Sequence, residues 1–482
     1  MANPLDNSRA LDIHATSSDE AVERAISSLL DEISAISGFA GNKAKLKSHL
    51  QVLVVDLYKR FLEDPFGYLQ YSRNSNRFSA SGRYNPLAIK YTNLIKAVDS
   101  LSTLGYAENV KGFDDKRRGG QSRESRIRAT PKLIDLLNTA HDISSKAISA
   151  AEREVIILRD KAKNEIAYTD TAETSRMREV IRRYLAQLEN TYIDVITKHY
   201  SPKEPFSIDL NDKFVRRIFN NSSWEEGGRF YGGWWQRIPR NLRERIVIFG
   251  KPTIEIDYSA IHIVLLYAIE GIDYFGDGRP DPYSIAGYPN NREYRALFKL
   301  ILLTVVNSDD EEGARRAVQS EINTRKHDFP IGVNLRDAIK SFESMHKEIA
   351  PHFYSGVGTK LQFIDSQIAE KIIEHFLLPG SIGIPPLVIH DSFVVAKHAE
   401  AELREVMTTA LNEVLRSRMA RECELIPKVK DSVWTAYEMG RAEADLLTEM
   451  EEYFASPIHD PDQLKRHDGW SPGQVLPTMK VS

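Results

Sequence analysis

Apolar positions recur at helical spacing in four stretches of the chain. Leu46, Leu50, Leu53, Val54, Leu57 and Phe61 line one side of a helix over residues 43–62, and Leu94, Ile95, Val98, Leu101 and Leu104 line a second over 86–104, stopped by Gly105. A third starts at Thr130-Pro131, with Thr as cap and Pro at the first helical position. A long fourth covers 175–199 through Met177, Ile181, Tyr184, Leu188, Tyr192 and Ile196. Strand-like pieces at 106–110 and 125–129 flank a loop at 111–121. Helix, short strand, basic loop, strand, helix is the order of a winged helix-turn-helix, predicted here over 41–145.

In the second half the period shortens. Glu255-Ile-Asp257-Tyr258-Ser259 and Leu387-Val-Ile-His390-Asp391-Ser392-Phe393-Val-Val read as short strands with an acid set into each. Burying a carboxylate is costly unless a cation or a partner satisfies it, so two such acids suggest one metal site. Between them Arg295 and Lys299 fall one turn apart on one face of a helical pattern. Two Mg²⁺ ions and a cationic clamp for a polyphosphate are what in-line attack by a hydroxyl on a nucleoside triphosphate requires.

Charge and composition narrow the setting. The formal net charge of −4 means that any nucleic-acid contact comes from local basic patches, and residues 111–128 carry seven Lys/Arg against three acids. Within that patch Lys116, Arg117, Arg118, Arg123 and Arg126 are the candidate phosphate contacts. The single cysteine, Cys423, rules out an internal disulfide framework. No apolar run approaches the ~18–20 residues that span a bilayer, and the start lacks the features of a signal peptide, so a cytoplasmic protein with no membrane partner is expected. No Gly-rich phosphate loop ending in Lys-Ser or Lys-Thr is present, which disfavours an ATP-driven helicase.

Six ordered segments, from about residue 227 to 395, resemble the family A DNA polymerases and their relatives, the single-subunit phage-type RNA polymerases. Gly228-Arg229 resembles the Gly-Arg ahead of the palm, and Trp235-Gln236-Arg237-Ile238-Pro239 resembles Leu-Gln-Asn-Ile-Pro. Asp257-Tyr258-Ser259-Ala260-Ile261 is similar to motif A. Asp281-Pro-Tyr-Ser with Arg295, Lys299 and Thr304 is similar to motif B and its approach. Leu361-Gln362 resembles the Gln-containing segment before motif C, and His390-Asp391 motif C itself.

The resemblance implies an α+β fold with an antiparallel-sheet palm and helical fingers over 206–440, preceded by a helical connector or reduced thumb (146–205); composition and element order add a polar arm (1–40) and the winged helix (41–145) before it and a tail (441–482) after it. It implies Asp257 and Asp391 as catalytic carboxylates holding two Mg²⁺ ions, with the backbone carbonyl of Tyr258 as a further ligand. Tyr258, His262, Arg295, Lys299, Thr304 and Asn307 would face the nucleoside triphosphate. Arg229, Gln236, Arg237, Gln362 and His390 would face the DNA template and primer. The stretch before residue 206 shows no acidic cluster of the kind a proofreading exonuclease requires.

Two departures bear on sugar choice: His262 stands where the DNA polymerases carry a Glu, and Asn307 where they carry an aromatic ring. Tyr258 argues for DNA synthesis, whereas the His-Asp-Ser-Phe of motif C is shared with the RNA polymerases. The expected activity is therefore template-directed DNA synthesis without proofreading. RNA synthesis or priming is the alternative within enzymes, and a non-enzymatic replication initiator with a degenerate palm is the alternative outside them.

Overall fold

The computed structural model describes residues 8–37, 43–75, 82–114, 122–140, 149–197, 206–416, 429–431 and 479–481. Mixed helices and mainly antiparallel sheets build two cores. The first gathers α1 (Glu20–Ser37), α2 (Lys43–Glu63), α3 (Tyr91–Thr103) and α4 (Pro131–Asp135) around a sheet of order β1-β2-β4-β3. Its strands are β1 (Ser8–Ala10), β2 (Tyr68–Tyr71), β3 (Ala107–Val110) and β4 (Ser125–Ala129); β1 runs parallel to β2 and the other pairs are antiparallel.

Rather than a loosely held arm, residues 8–37 belong to this core. Val22, Ala25, Ile26, Leu29, Leu30 and Ile33 of α1 are buried in it, and Arg9 forks onto Asp56 (2.7 and 3.1 Å) while reaching Glu63 (2.9 Å). The helix expected from residue 86 begins at Tyr91. Asn85 closes a loop on Ile89 through both its amide groups, Nδ2 to the Ile89 carbonyl (2.7 Å) and the Ile89 N–H to Oδ1 (2.9 Å), and Ala88 adopts φ +51°. Such side-chain-closed turns compete with the helical ladder.

The larger core spans residues 155–415. The central element is a five-strand antiparallel path, β6-β9-β10-β12-β11, made of β6 (Ile193–Val195), β9 (Ile246–Ile248), β10 (Lys251–Tyr258), β11 (Leu387–Ile389) and β12 (Ser392–Ala396), with β13 (Val429–Asp431) beside the end of β10. A smaller sheet orders β8 (Gly227–Gly232), β7 (Val215–Phe219) and β5 (Ile156–Leu158). Around them lie α5 (Ala172–Glu189), α6 (Ile261–Ile269), α7 (Arg292–Val305), α8 (Glu311–Thr324), α9 (Leu335–Met345), α10 (Gly358–Phe376) and α11 (Glu400–Arg416).

The helix expected over 175–199 ends at Glu189, capped at Asn190, and the β-branched run after it becomes β6, pairing with β9. The connector thus supplies the edge strand of the central sheet, and α5 contributes Met177, Ile181, Tyr184 and Leu188 to its core.

The two units are joined by specific contacts. Arg83 pairs with Glu154 (2.9 Å) and Asp170 (3.0 Å) and lies over the Tyr168 ring (4.2 Å). The Tyr84 hydroxyl donates to the Ile166 carbonyl and accepts from the Leu158 N–H, both at 3.0 Å. Among the described residues no helix is long and apolar enough to cross a membrane.

His346 is fully buried, with Nε2 2.9 Å from the Pro282 carbonyl and Nδ1 3.0 Å from the Tyr267 hydroxyl, and burial holds its pKa below the ordinary 6.5. Burial lowers that of His49 as well. The unfolded chain therefore takes up protons near pH 6.5 that the folded chain still refuses, so their stabilising effect is whole above that pH and falls as the pH drops below it. We expect unfolding free energy to decline from pH 6.5 to 5, and a His346→Gln variant to decline less steeply; equal slopes by denaturant titration would contradict the assignment.

Candidate active site

Strand register brings the two predicted acids together. In the pairing of β10 with β12, Asp257 lies opposite Ser392, the neighbour of Asp391. Because Ile389 pairs with Ser392, His390 and Asp391 form the two-residue turn between β11 and β12. Two-residue hairpins need a left-handed central residue, and His390 supplies it with φ +59°. Beyond Asp257 the chain turns into α6 through Ala260, also left-handed at φ +52°. Each acid thus sits beside a non-glycine residue in a sparsely populated conformation that the surrounding packing sustains.

Alternation along β10 sends Tyr258 to the opposite face from Asp257. The phenol is buried and donates to the Met407 carbonyl of α11 (2.5 Å), and burial raises its pKa well above the ordinary value. The side chain of Tyr258 is thus a core group, and its main chain is what remains beside the acids. Glu255, on the same face as Asp257, is gripped by Arg243 through Nε and Nη2 (both 3.1 Å) and accepts from the Ser392 hydroxyl (3.0 Å).

Tyr283 packs beside Arg295 of α7. Burial chiefly raises its pKa, and it lies within the electrostatic reach of Arg295, Asp281, Asp391 and Asp257. Arg295 donates from Nε to Asp281 (2.9 Å) with its guanidinium 4.9 Å from the Tyr283 ring centre. Lys299, one turn on, is exposed, and Leu303 (39% exposed) and Asn307 extend the same stripe. The Thr304 hydroxyl turns back to the Leu300 carbonyl (2.8 Å) and the Asn307 amide to that of Leu303 (2.6 Å).

Behind the acids a second cluster joins β8, α6 and α10. Arg229 donates from Nε to Asp365 (2.8 Å) and from Nη2 to His262 Nε2 (3.0 Å); a guanidinium only donates, so that ring nitrogen accepts. Asp391 and Asp365 both favour the charged Arg229. Gln362 is half-buried one turn before Asp365. Asp365, only 4% exposed, escaped the sequence reading, although an acid among Leu361, Ile364 and Ile368 is the same signal that marked Asp257. Nearby, the fully buried Arg217 reaches Glu370 (2.7 Å), Ser366 (3.0 Å) and the Gly228 carbonyl (2.8 Å).

Other expected contacts are engaged within the protein. Gln236 Nε2 donates to the carbonyls of Val388 (2.8 Å) and Phe230 (3.2 Å), while its oxygen accepts from the Gly232 N–H (3.1 Å). Arg237 pairs with Asp212 (2.5 Å) but stays 59% exposed. Trp234 and Trp235 are buried, and Tyr231 meets His390 edge-on at 5.5 Å. In the basic loop, Lys116, Arg117 and Arg118 lie outside the described residues. Arg126 Nη1 donates to the Glu124 carbonyl (2.9 Å), and Arg123 lies over the Phe113 ring.

Three buried polar atoms around the acids, Ser259 Oγ, Asp365 Oδ1 and His390 Nδ1, lack a hydrogen-bond partner among the described residues. Buried polar atoms are ordinarily satisfied, so these three are positions that a water or a polar ligand can satisfy. Among the described residues no three of His, Cys, Asp or Glu gather as a metal cluster. The donor set is two adjacent carboxylates plus main-chain oxygen, which suits a hard cation that keeps several waters and shares substrate oxygens.

No protein-family model matches the chain, and no curated protein does. A solved structure, the POL domain of Pol1 from M. smegmatis in complex with DNA primer-template and dNTP, is similar over 88% of this chain and 66% of that chain, at 11% identity and a TM-score of 0.25. At that score the likeness carries no functional weight.

Since His390 occupies the left-handed region, a Gly there removes the side-chain clash and a β-branched residue worsens it. We expect His390→Gly to leave the melting temperature within a few degrees of wild type, and His390→Val to cost roughly 1–2 kcal/mol. A Val variant as stable as the Gly variant would show that the turn relaxes freely.

Proposed function

We propose that the chain is a template-directed nucleotidyltransferase that extends a nucleic-acid strand by two-metal phosphoryl transfer, of family A DNA polymerase type and without proofreading. The observation that carries this reading is the register that sets Asp257 opposite Ser392, the neighbour of Asp391, in the larger core that also carries Arg295 and Lys299 on one face of α7. Asp257, Asp391 and the Tyr258 carbonyl would hold two Mg²⁺ ions. Such ions supply positive charge where negative charge develops in an in-line displacement.

The chain's own groups do the rest. Arg295 offers a planar fork and Lys299 a point charge to a triphosphate, and Arg295 exchanges its contact with Asp281 for the substrate. Arg229, held by Asp365 and His262, presents a fixed cation toward the strand being extended, with Gln362 and Arg237 along the same path. Gln236 braces the main chain on which His390 and Asp391 turn. The N-terminal unit, with helix, strand, helix, strand, hairpin, strand and the sheet order β2-β4-β3, fits a winged helix that would bring the site to DNA.

RNA synthesis is the second reading, favoured by His262: it is tied to Arg229 and leaves no carboxylate at that position to exclude a ribose. A replication initiator without activity is disfavoured, because a scaffold gains nothing from adjacent carboxylates among unsatisfied polar atoms.

The test is extension of primed and unprimed templates with Mg²⁺ and either deoxy- or ribonucleotides. We expect Asp257→Asn or Asp391→Asn to lower kcat/KM by ~10³ or more. Melting temperature should be retained or raised, since one of two like charges is removed. Extension by either variant near the wild-type rate would sink the proposal.

A further inference from the structure

Phe113 projects from the N-terminal unit with 52% of its surface exposed, in a two-strand hairpin, Phe113–Asp114 against Ser122–Arg123, where it lies directly opposite Arg123. The Arg123 guanidinium covers one side of the ring, 5.3 Å from its centre. Gly112 makes the arrangement rigid: a Cβ there would stand 2.1 Å from the Arg123 carbonyl oxygen, and its N–H donates to the Ser125 hydroxyl (3.0 Å). An aromatic ring is thus held out to solvent, backed by a cation, within a stretch of seven Lys/Arg and three acids.

An apolar protein pocket closing on that ring would have to desolvate the Arg123 guanidinium that lies over it, whereas a nucleobase brings its own phosphate to that cation. Every base has a π-face on which an aromatic side chain can stack, but inside a duplex both faces are covered by neighbouring pairs. We infer that Phe113 is a stacking platform for an unpaired base. By this inference the N-terminal unit recognises the junction where a duplex passes into a single strand, the structure at which a growing strand ends. It rests on the DNA-binding reading of this unit.

The test uses the full chain and fluorescently labelled DNA hairpins, one blunt and one with a single-stranded overhang, the latter also made with 2-aminopurine at the first unpaired position. Affinity is measured by anisotropy at several salt concentrations. We expect Phe113→Ala to weaken binding to the overhang hairpin on the order of tenfold, the size of one stacked base, and to leave blunt binding and its salt slope unchanged. Phe113→Trp should keep the overhang affinity. Wild type, but not Phe113→Ala, should change the 2-aminopurine emission. If Phe113→Ala binds both hairpins as wild type does, the stacking role is overturned while DNA binding by the unit stands. If wild type binds neither hairpin, or if the affinity it shows does not depend on salt, the DNA-binding reading fails and takes this inference with it.

Discussion

The larger core depends on the register of β10 against β12, which sets Asp257 opposite Ser392 and so next to the turn bearing Asp391. Asp257 and Asp391 are brought together by main-chain pairing of β10 with β12, which is indifferent to side-chain charge. Arg243 takes the neighbouring Glu255, Arg229 lies in the field of Asp391, and Arg295 and Tyr283 close the side toward α7. The left-handed residues Ala260 and His390 mark the two sharp turns beside this register, one three residues after Asp257 and the other immediately before Asp391.

Arg229, and Arg217 beside it, are held by buried anions. Arg217 and Arg229, on adjacent strands, reach the same helix α10 through Glu370 and Asp365. A buried guanidinium is costly unless its donors are met, and losing one partner strands the other in the core. These pairs therefore favour one placement of α10 against β7 and β8, while His262 reaches Arg229 from α6.

The N-terminal unit is fitted to the larger one. Tyr84 packs with Ile157 and Ile218, and Tyr231, which meets His390, packs against the same group. A continuous line of side-chain contacts therefore runs from the loop before α3 to the turn bearing Asp391. Whatever the N-terminal unit holds is consequently held at a set distance from the acids, as an appended module on a free linker could not do.

Much of this was legible in the sequence. Helical period placed α2 and α3 to within a few residues, and an acid beside apolar strand positions singled out Asp257 and Asp391, although both are half-buried and Asp391 stands in the turn between β11 and β12 rather than in a strand. The four-residue spacing of Arg295 and Lys299 put them on one face of α7. Other features were settled only by the fold. Asn85 shortened α3 through a local hydrogen bond that competes with the helix, and β6 took its strand state from pairing with β9 across fifty residues of chain. Asp365 acquired meaning only beside Arg229, and Gln236 only beside the Val388 carbonyl. Residue type and spacing determine which side chains can carry charge and which face they take, because those depend on local geometry alone; which of them meet depends on strand register and helix docking, and these are decided by packing between segments far apart in the chain.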